Sequence, residues 1–331
     1  MPIWLFGFSP GLRISPCSRC LEDNIADFQD NDKFGMMTNK GAANVPSKSA
    51  GAAPRSPLLW LTLLSLDAPA VAVLWQLLFA RSFHVRLSPG ITLLLGLVVW
   101  LIYVADRFLD TLTAPNLGIE PGRHRFYRRR RWAFLLPFCA VFLLACWIAW
   151  TQLEAQTFRN GLIVLLVVGL YFFLVHLQGP KNNARIPKEM LVGILFGVGT
   201  CFPLWERILT GRIRLLAPFL VFTELCWLNC AAIESSEWIR LRERQFNSPH
   251  PWTVWMGRHM ILVASVTALL AAGISVTGRG HRDWMLPAAE GLSAAAFALL
   301  GHKEEKISPD KFRVLMDLAL FTPVLFLPLV R

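Results

Sequence analysis

From Pro57 to its end, this chain repeats runs of about twenty apolar residues between short polar connections, the length a helix needs to cross a hydrocarbon core about 30 Å thick. No soluble fold uses that many. The 331 residues are 54% hydrophobic and 17% charged, too apolar for a domain whose whole surface must be wetted. The pattern predicts an all-α polytopic membrane bundle of about nine transmembrane helices. The spans fall near 58–80, 90–112, 132–153, 160–178, 188–206, 214–238, 257–277, 284–301 and 312–330. No strand-rich soluble module interrupts them.

The net charge of +11 sits in short loops beside apolar spans, which fits positive-inside asymmetry better than a nucleic-acid footprint. If the loop carrying Arg123, Arg125 and Arg128 to Arg131 is cytoplasmic, an odd number of spans puts the N-terminus inside and the C-terminus outside. The loops then counted as inside hold about twice the Lys and Arg of those outside. That is the arrangement expected of a bacterial inner-membrane protein.

Residues 1–56 differ from the rest. They are rich in Gly, Pro, Ser, Asn and Lys without a sustained period and read as a disordered N-terminal segment, with Met36 and Met37 as alternative starts. The transmembrane domain is 57–331. Of seven cysteines, five (Cys139, Cys146, Cys201, Cys226 and Cys230) lie in apolar spans as small hydrophobes. Cys17-Ser-Arg-Cys20 has no second pair or neighbouring histidines, so neither zinc nor a disulfide framework is implied.

Carboxylates inside membrane spans are costly and are therefore candidates for function. Asp106 and Asp110 end the second span four residues apart, on one helical face, just before the arginine-rich loop. They suit Mg²⁺, which takes oxygen ligands, keeps waters and binds through one or two carboxylates plus substrate phosphates. The competing reading is a helix end in the headgroup region, with Arg107 snorkelling beside it. Glu234 and Glu237, spaced i and i+3 on the sixth span, are a second acidic pair near Asn229 and Cys230. They are candidate metal ligands, against ordinary ion pairs with Arg240 or Arg242. Glu224 lies deeper and reads equally as a hydrogen-bonded core residue.

Arg123 and Arg125 are the preferred diphosphate ligands, because a guanidinium fork matches phosphate oxygens and stays charged. Arg128 to Arg131 serve topology or anionic lipid equally well. Lys188, opening the fifth span, is a third diphosphate ligand or else a snorkelling anchor. Tyr103 and Asn229 are candidates for lining a substrate cavity, with Trp100, Phe108 and Trp227 as aromatic neighbours. Asp67, before Pro69, reads as the structural cap of a helix that starts there. His124, His176 and His259 are too scattered for a metal triad.

Nine spans, acidic motifs ending the second and sixth, and basic loops after both resemble the intramembrane prenyltransferases of the UbiA superfamily, over about residues 58–330. Leu66-Asp67-Ala68-Pro69 resembles that family's opening of its first helix. Asp106 and Asp110 match the last two acids of its Asn-Asp-x-x-Asp-x-x-x-Asp pattern, whose first two positions are here Ile102 and Tyr103. Glu234-Ser235-Ser236-Glu237 stands where the second acidic motif is expected. The resemblance implies a helical bundle with a central cavity, Mg²⁺ held by the acids, and transfer of a prenyl group from an isoprenyl diphosphate to a hydrophobic aromatic or lipid acceptor. Asp106 and Asp110 would be the catalytic pair. A transporter or prenyl-lipid-binding protein without chemistry is the alternative from another class. A CDP-linked phosphatidyl-type transferase ranks third, since no Asp-Gly-x-x-Ala-Arg run is present.

Overall fold

The structure is a computed structural model, and it describes residues 65–113, 122–177, 187–208, 212–241, 249–277 and 284–329. All regular structure there is helical, without a strand among the described residues. Eleven α-helices follow in order: α1 (Asp67–Ser82), α2 (Pro89–Thr113), α3 (Gly122–Gln152), α4 (Ala155–Leu177), α5 (Lys188–Arg207), α6 (Arg212–Leu241), α7 (Pro251–Arg258), α8 (Met260–Thr277), α9 (Met285–Lys303), α10 (Pro309–Ala319) and α11 (Pro323–Phe326). The segment 1–56 lies outside the described residues.

Helix starts follow local chemistry. Proline opens α2, α7, α10 and α11, where its missing N–H costs nothing and its fixed φ suits the first turn. Before α2, Ser88 Oγ accepts from the Ile91 N–H at 3.4 Å, and before α7, His250 Nδ1 accepts from the Trp252 N–H at 3.2 Å. Ser65, at φ 56°, turns the chain into α1.

Among the described residues, five helical stretches are long and apolar enough to cross a membrane: α2, the C-terminal part of α3, α5, α6, and Pro309–Leu329, which comprises α10 and α11. A sixth crossing results if α7 and α8, bent by 66° at His259, form one span. Of the other expected spans, the first, fourth and eighth correspond to α1, α4 and α9. The described part of α1 is 16 residues, α4 runs 23 residues to Leu177, and α9 carries Glu290, His302 and Lys303. Where a loop is expected between Thr113 and Arg131, α3 already begins at Gly122, in keeping with the high helix propensity of arginine.

The core lies where α1, α5, α6 and α9 meet. Trp75, Phe79 and Phe222 are fully buried, with Trp75 and Phe222 ring centroids 4.7 Å apart, and Trp75 Nε1 donates to the Leu320 carbonyl at 2.8 Å. In a bilayer, close approach depends on small residues. Gly193 and Gly197 supply it on α5: a Cβ on Gly193 would sit 2.8 Å from the Trp227 backbone nitrogen, and one on Gly197 would sit 2.3 Å from Thr223 Oγ1. By contrast, α3 and α4 expose Leu136, Trp147, Trp150, Leu166 and Phe173.

Candidate functional site

Polar side chains collect at one end of the bundle, where α5, α7 and α10 begin and α2 and α6 end. Lys188, the first residue of α5, places Nζ 3.8 Å from Glu189 Oε1 and 3.8 Å from Glu234 Oε1. It thus joins the start of α5 to the acidic end of α6. Glu189 is buried and accepts from Thr253 Oγ1 at 2.6 Å, which fastens α7 to the same place. Glu237 Oε1 accepts from Arg313 Nη2 at 2.6 Å and Nε at 3.1 Å, tying α6 to α10. Arg240 donates to the carbonyls of Glu304 and Ile307, satisfying backbone acceptors after α9.

One to two turns further in, the rim gives way to a buried constellation. Asp317 on α10 accepts from Asn229 Nδ2 on α6 at 3.0 Å and makes a side-chain hydrogen bond with Asp67 at the start of α1. Asp67 Oδ1 also accepts from the Ala68 N–H at 3.0 Å. Tyr103 of α2 packs against Ala68, Ala72 and Val99, within electrostatic reach of Asp67, Asp317, Cys226 and Cys230. Arg107 of α2 acts on Asp317 as the nearby cation. Buried Asn229 keeps one atom in reserve: its Oδ1 makes no hydrogen bond among the described residues.

Depth follows from helix rise, 1.5 Å per residue. Asn229 lies about 7–8 Å deeper than Glu234 on α6, Asp317 about 6 Å beyond Arg313 on α10, and Tyr103 about 4–5 Å inside Asp106 on α2. Three helices repeat one order: charged residue at the rim, polar residue of the constellation one turn or so below.

The expected site residues divide accordingly. Lys188 and Glu234 meet, and Tyr103 and Asn229 converge on a shared acid pair. Asp106 is half-buried on α2. Glu237 is engaged by Arg313, while Arg240, named as an ion-pair alternative, donates to the Glu304 and Ile307 carbonyls and Arg242 lies outside the described residues. The side chains of Asp110, Arg123 and Arg125 lie outside the described residues. Asp67, read as a structural cap, belongs to the constellation. Asp317, Arg313 and Glu189 were not singled out at all. An available signal was Asp317's place in the ninth apolar span, four residues after Arg313 and so on one face with it.

Among the described residues, no three His, Cys, Asp or Glu side chains cluster closely enough to hold a metal by themselves. A hard divalent ion that keeps waters and binds substrate phosphates needs only one or two protein carboxylates. Asp106 on α2 and Glu234 on α6 are each oxygen donors of the kind such an ion takes.

Compared with models of known protein families, with curated proteins and with solved structures, the chain matches none of them.

Proposed function

We propose that this chain is an intramembrane prenyltransferase of UbiA-like architecture, with nine passes, the polar rim at the cytoplasmic face, the N-terminus inside and the C-terminus outside, as in a bacterial inner membrane. It moves a prenyl group from a polyprenyl diphosphate to an apolar acceptor. The observation that carries this reading is the meeting of Lys188 with Glu234 at the rim, above a buried polar constellation. An anion receptor next to a carboxylate is what a metal-bridged diphosphate requires.

Asp106, Asp110, Glu234 and Glu237 would hold Mg²⁺, which when bound supplies positive charge to the departing diphosphate. Lys188, more than half exposed and held by two glutamates, would donate to the diphosphate oxygens from the protein side, together with Arg123 and Arg125. In this reading Tyr103 and Asn229 would line the substrate cavity, where low dielectric strengthens every charge contact. With purified protein and a labelled prenyl diphosphate, Asp106→Ala abolishes Mg²⁺-dependent diphosphate release. Unchanged release in that variant removes Asp106 from the metal site.

A second reading, carriage of a prenyl lipid without chemistry, draws on the bundle's deeper acids. Glu290 on α9 is buried with Oε1 making no hydrogen bond among the described residues, and Glu224 on α6 accepts from Thr267 Oγ1 at 2.9 Å. Intramembrane acids commonly carry protons or cations. Saturable prenyl-lipid binding with no Mg²⁺-dependent consumption favours this reading over the first.

A further inference from the structure

The 66° bend at His259 leaves a corner that the diphosphate site does not use. A pocket of about 120 Å³ lies in it, bounded by Gly257 and Arg258 ending α7, Ile261 opening α8, Ser235 of α6, and Gly301 and Glu304 at and just past the end of α9. Its walls are tightly packed. A Cβ on Gly257 would overlap the Ser235 side chain, and one on Gly301 would sit 2.7 Å from Ile261 Cγ1. The pocket is therefore a product of how four helices cross, rather than slack between loose ones.

Two tryptophans set its depth. Trp252 and Trp255 on α7 are 56% and 46% exposed with ring centroids 6.0 Å apart, and Trp255 stacks on His259 at 4.6 Å. Exposed tryptophans, apolar in body and polar at the N–H, collect at the headgroup level of a bilayer. The charges of the pocket then decide which headgroup fits. Arg258 lines it from α7 and Glu304 from beyond α9, and neither makes an ion pair, with the other or elsewhere, among the described residues. Arg240 engages the Glu304 carbonyl and leaves its carboxylate unused. Opposite charges on two walls of one small pocket are complementary to a zwitterion, because a phosphate takes the guanidinium fork and an ammonium takes the carboxylate. From the same corner Leu262, Val266 and Leu269 run along α8 at i, i+4 and i+7, each exposed, which is one continuous apolar stripe.

We propose that this corner binds one phosphatidylethanolamine molecule, with its phosphate on Arg258, its ammonium on Glu304 and an acyl chain along Leu262, Val266 and Leu269. Exposed Lys303 and Lys306, on either side of Glu304 in the chain, attract any phosphate. Glu304 is thus the group that separates an ethanolamine headgroup from a glycerol one, which has no cation to offer. A choline headgroup keeps the charge but lacks the N–H donors that a carboxylate accepts. The bound lipid joins the end of α7 to the end of α9 across the bend. None of this depends on prenyl transfer.

The test uses the full chain in detergent, offered equal amounts of phosphatidylethanolamine, phosphatidylglycerol and phosphatidylcholine with the same acyl chains, and counts retained lipid by native mass spectrometry. Wild type should keep one phosphatidylethanolamine in preference to the other two. Arg258→Gln should weaken retention of both phosphatidylethanolamine and phosphatidylglycerol by about tenfold or more, the usual worth of a hydrogen bond to a charged group. Glu304→Gln should weaken phosphatidylethanolamine by a similar factor and leave phosphatidylglycerol unchanged, so that the preference disappears. Equal retention of the three lipids by wild type overturns the proposal, as does a wild-type preference in either variant with an intact thermal transition. A second measurement needs no variant. In nanodiscs, phosphatidylethanolamine carrying a photoreactive acyl chain should label 262–269 on α8 well above 135–150 on α3, which also faces lipid. Labelling at the same level on both helices overturns the site, because a lipid with no fixed place marks every outward face alike.

Discussion

The α5–α6 pair and the α3–α4 pair are comparably apolar helices with opposite surroundings. In their most apolar windows, 39% of α5 and 44% of α6 is buried inside the protein, against 11% of α3. Hydropathy alone does not distinguish a helix that builds the site from one that faces lipid. What distinguishes them is the placement of small residues. Gly193 and Gly197 let α5 press against α6, while Gly161 and Gly169 on α4 have nothing within 4 Å of the position a Cβ would take. The helices that pack are also those that carry Lys188, Glu189, Asn229 and Glu234.

Glycine substitutions are the strongest way to break this contrast. Gly193→Leu drives a side chain into the backbone of Trp227, at 2.8 Å from its nitrogen and 3.0 Å from its Cα, and backbone cannot swing aside. Overpacking of this kind costs about 3 kcal/mol, at the top of the usual range. Gly161→Leu on α4 meets open space, and its expected effect is within about 0.5 kcal/mol of zero. Unfolding of the purified protein in mixed micelles, titrated with a denaturing detergent, measures both. Equal effects would mean that the two helix pairs do not differ in packing.

Glu189→Ala comes next. It removes the acceptor of a buried 2.6 Å hydrogen bond and leaves Thr253 without it, a loss of about 1–3 kcal/mol. Because that bond fastens α7 to α5, hydrogen exchange should rise first in residues 251–258. Exchange rising uniformly instead would place Glu189 in the general core rather than at a joint.

These effects also mark where the sequence was readable. Runs of twenty apolar residues gave the helical class and the approximate limits of α5, α6 and α9, since burial in lipid imposes length directly. The bend at His259 was not legible, because the expected span begins only at 257 and a lone glycine such as Gly257 is compatible with a straight helix as well as a bent one. The site was half legible. Lys188, Tyr103, Asn229 and Glu234 stood out as polar groups near span ends. Asp67 and Asp317 lie 250 positions apart, one disguised as a helix start and the other set in the last apolar span, and only tertiary packing brings them together.

Arg313→Met sharpens the rim half of the comparison with a smaller effect. The Arg313–Glu237 pair is 17% exposed on each side, well hydrogen-bonded yet close enough to solvent for screening. Its removal is expected to cost about 1 kcal/mol, near the upper end for such pairs, and the difference from wild type should shrink as salt is raised. A salt-independent difference would place the pair deeper in the protein than its exposure implies.

Leu136→Ala on α3 has the smallest expected effect and isolates the lipid-facing half. Leu136 is 78% exposed in the protein, so in a bilayer its neighbours are acyl chains both before and after folding, and truncating it removes little protein packing. Stability should therefore shift by less than about 0.5 kcal/mol. The same truncation at Leu204 on α5, which is fully buried, opens a cavity and should cost about 2–5 kcal/mol. If Leu136→Ala approaches the Leu204→Ala value, the outer face of α3 is covered by protein rather than lipid. A second copy of the chain would then be the first candidate for the cover, and crosslinking through the exposed Cys139 and Cys146 on the same helix would detect it.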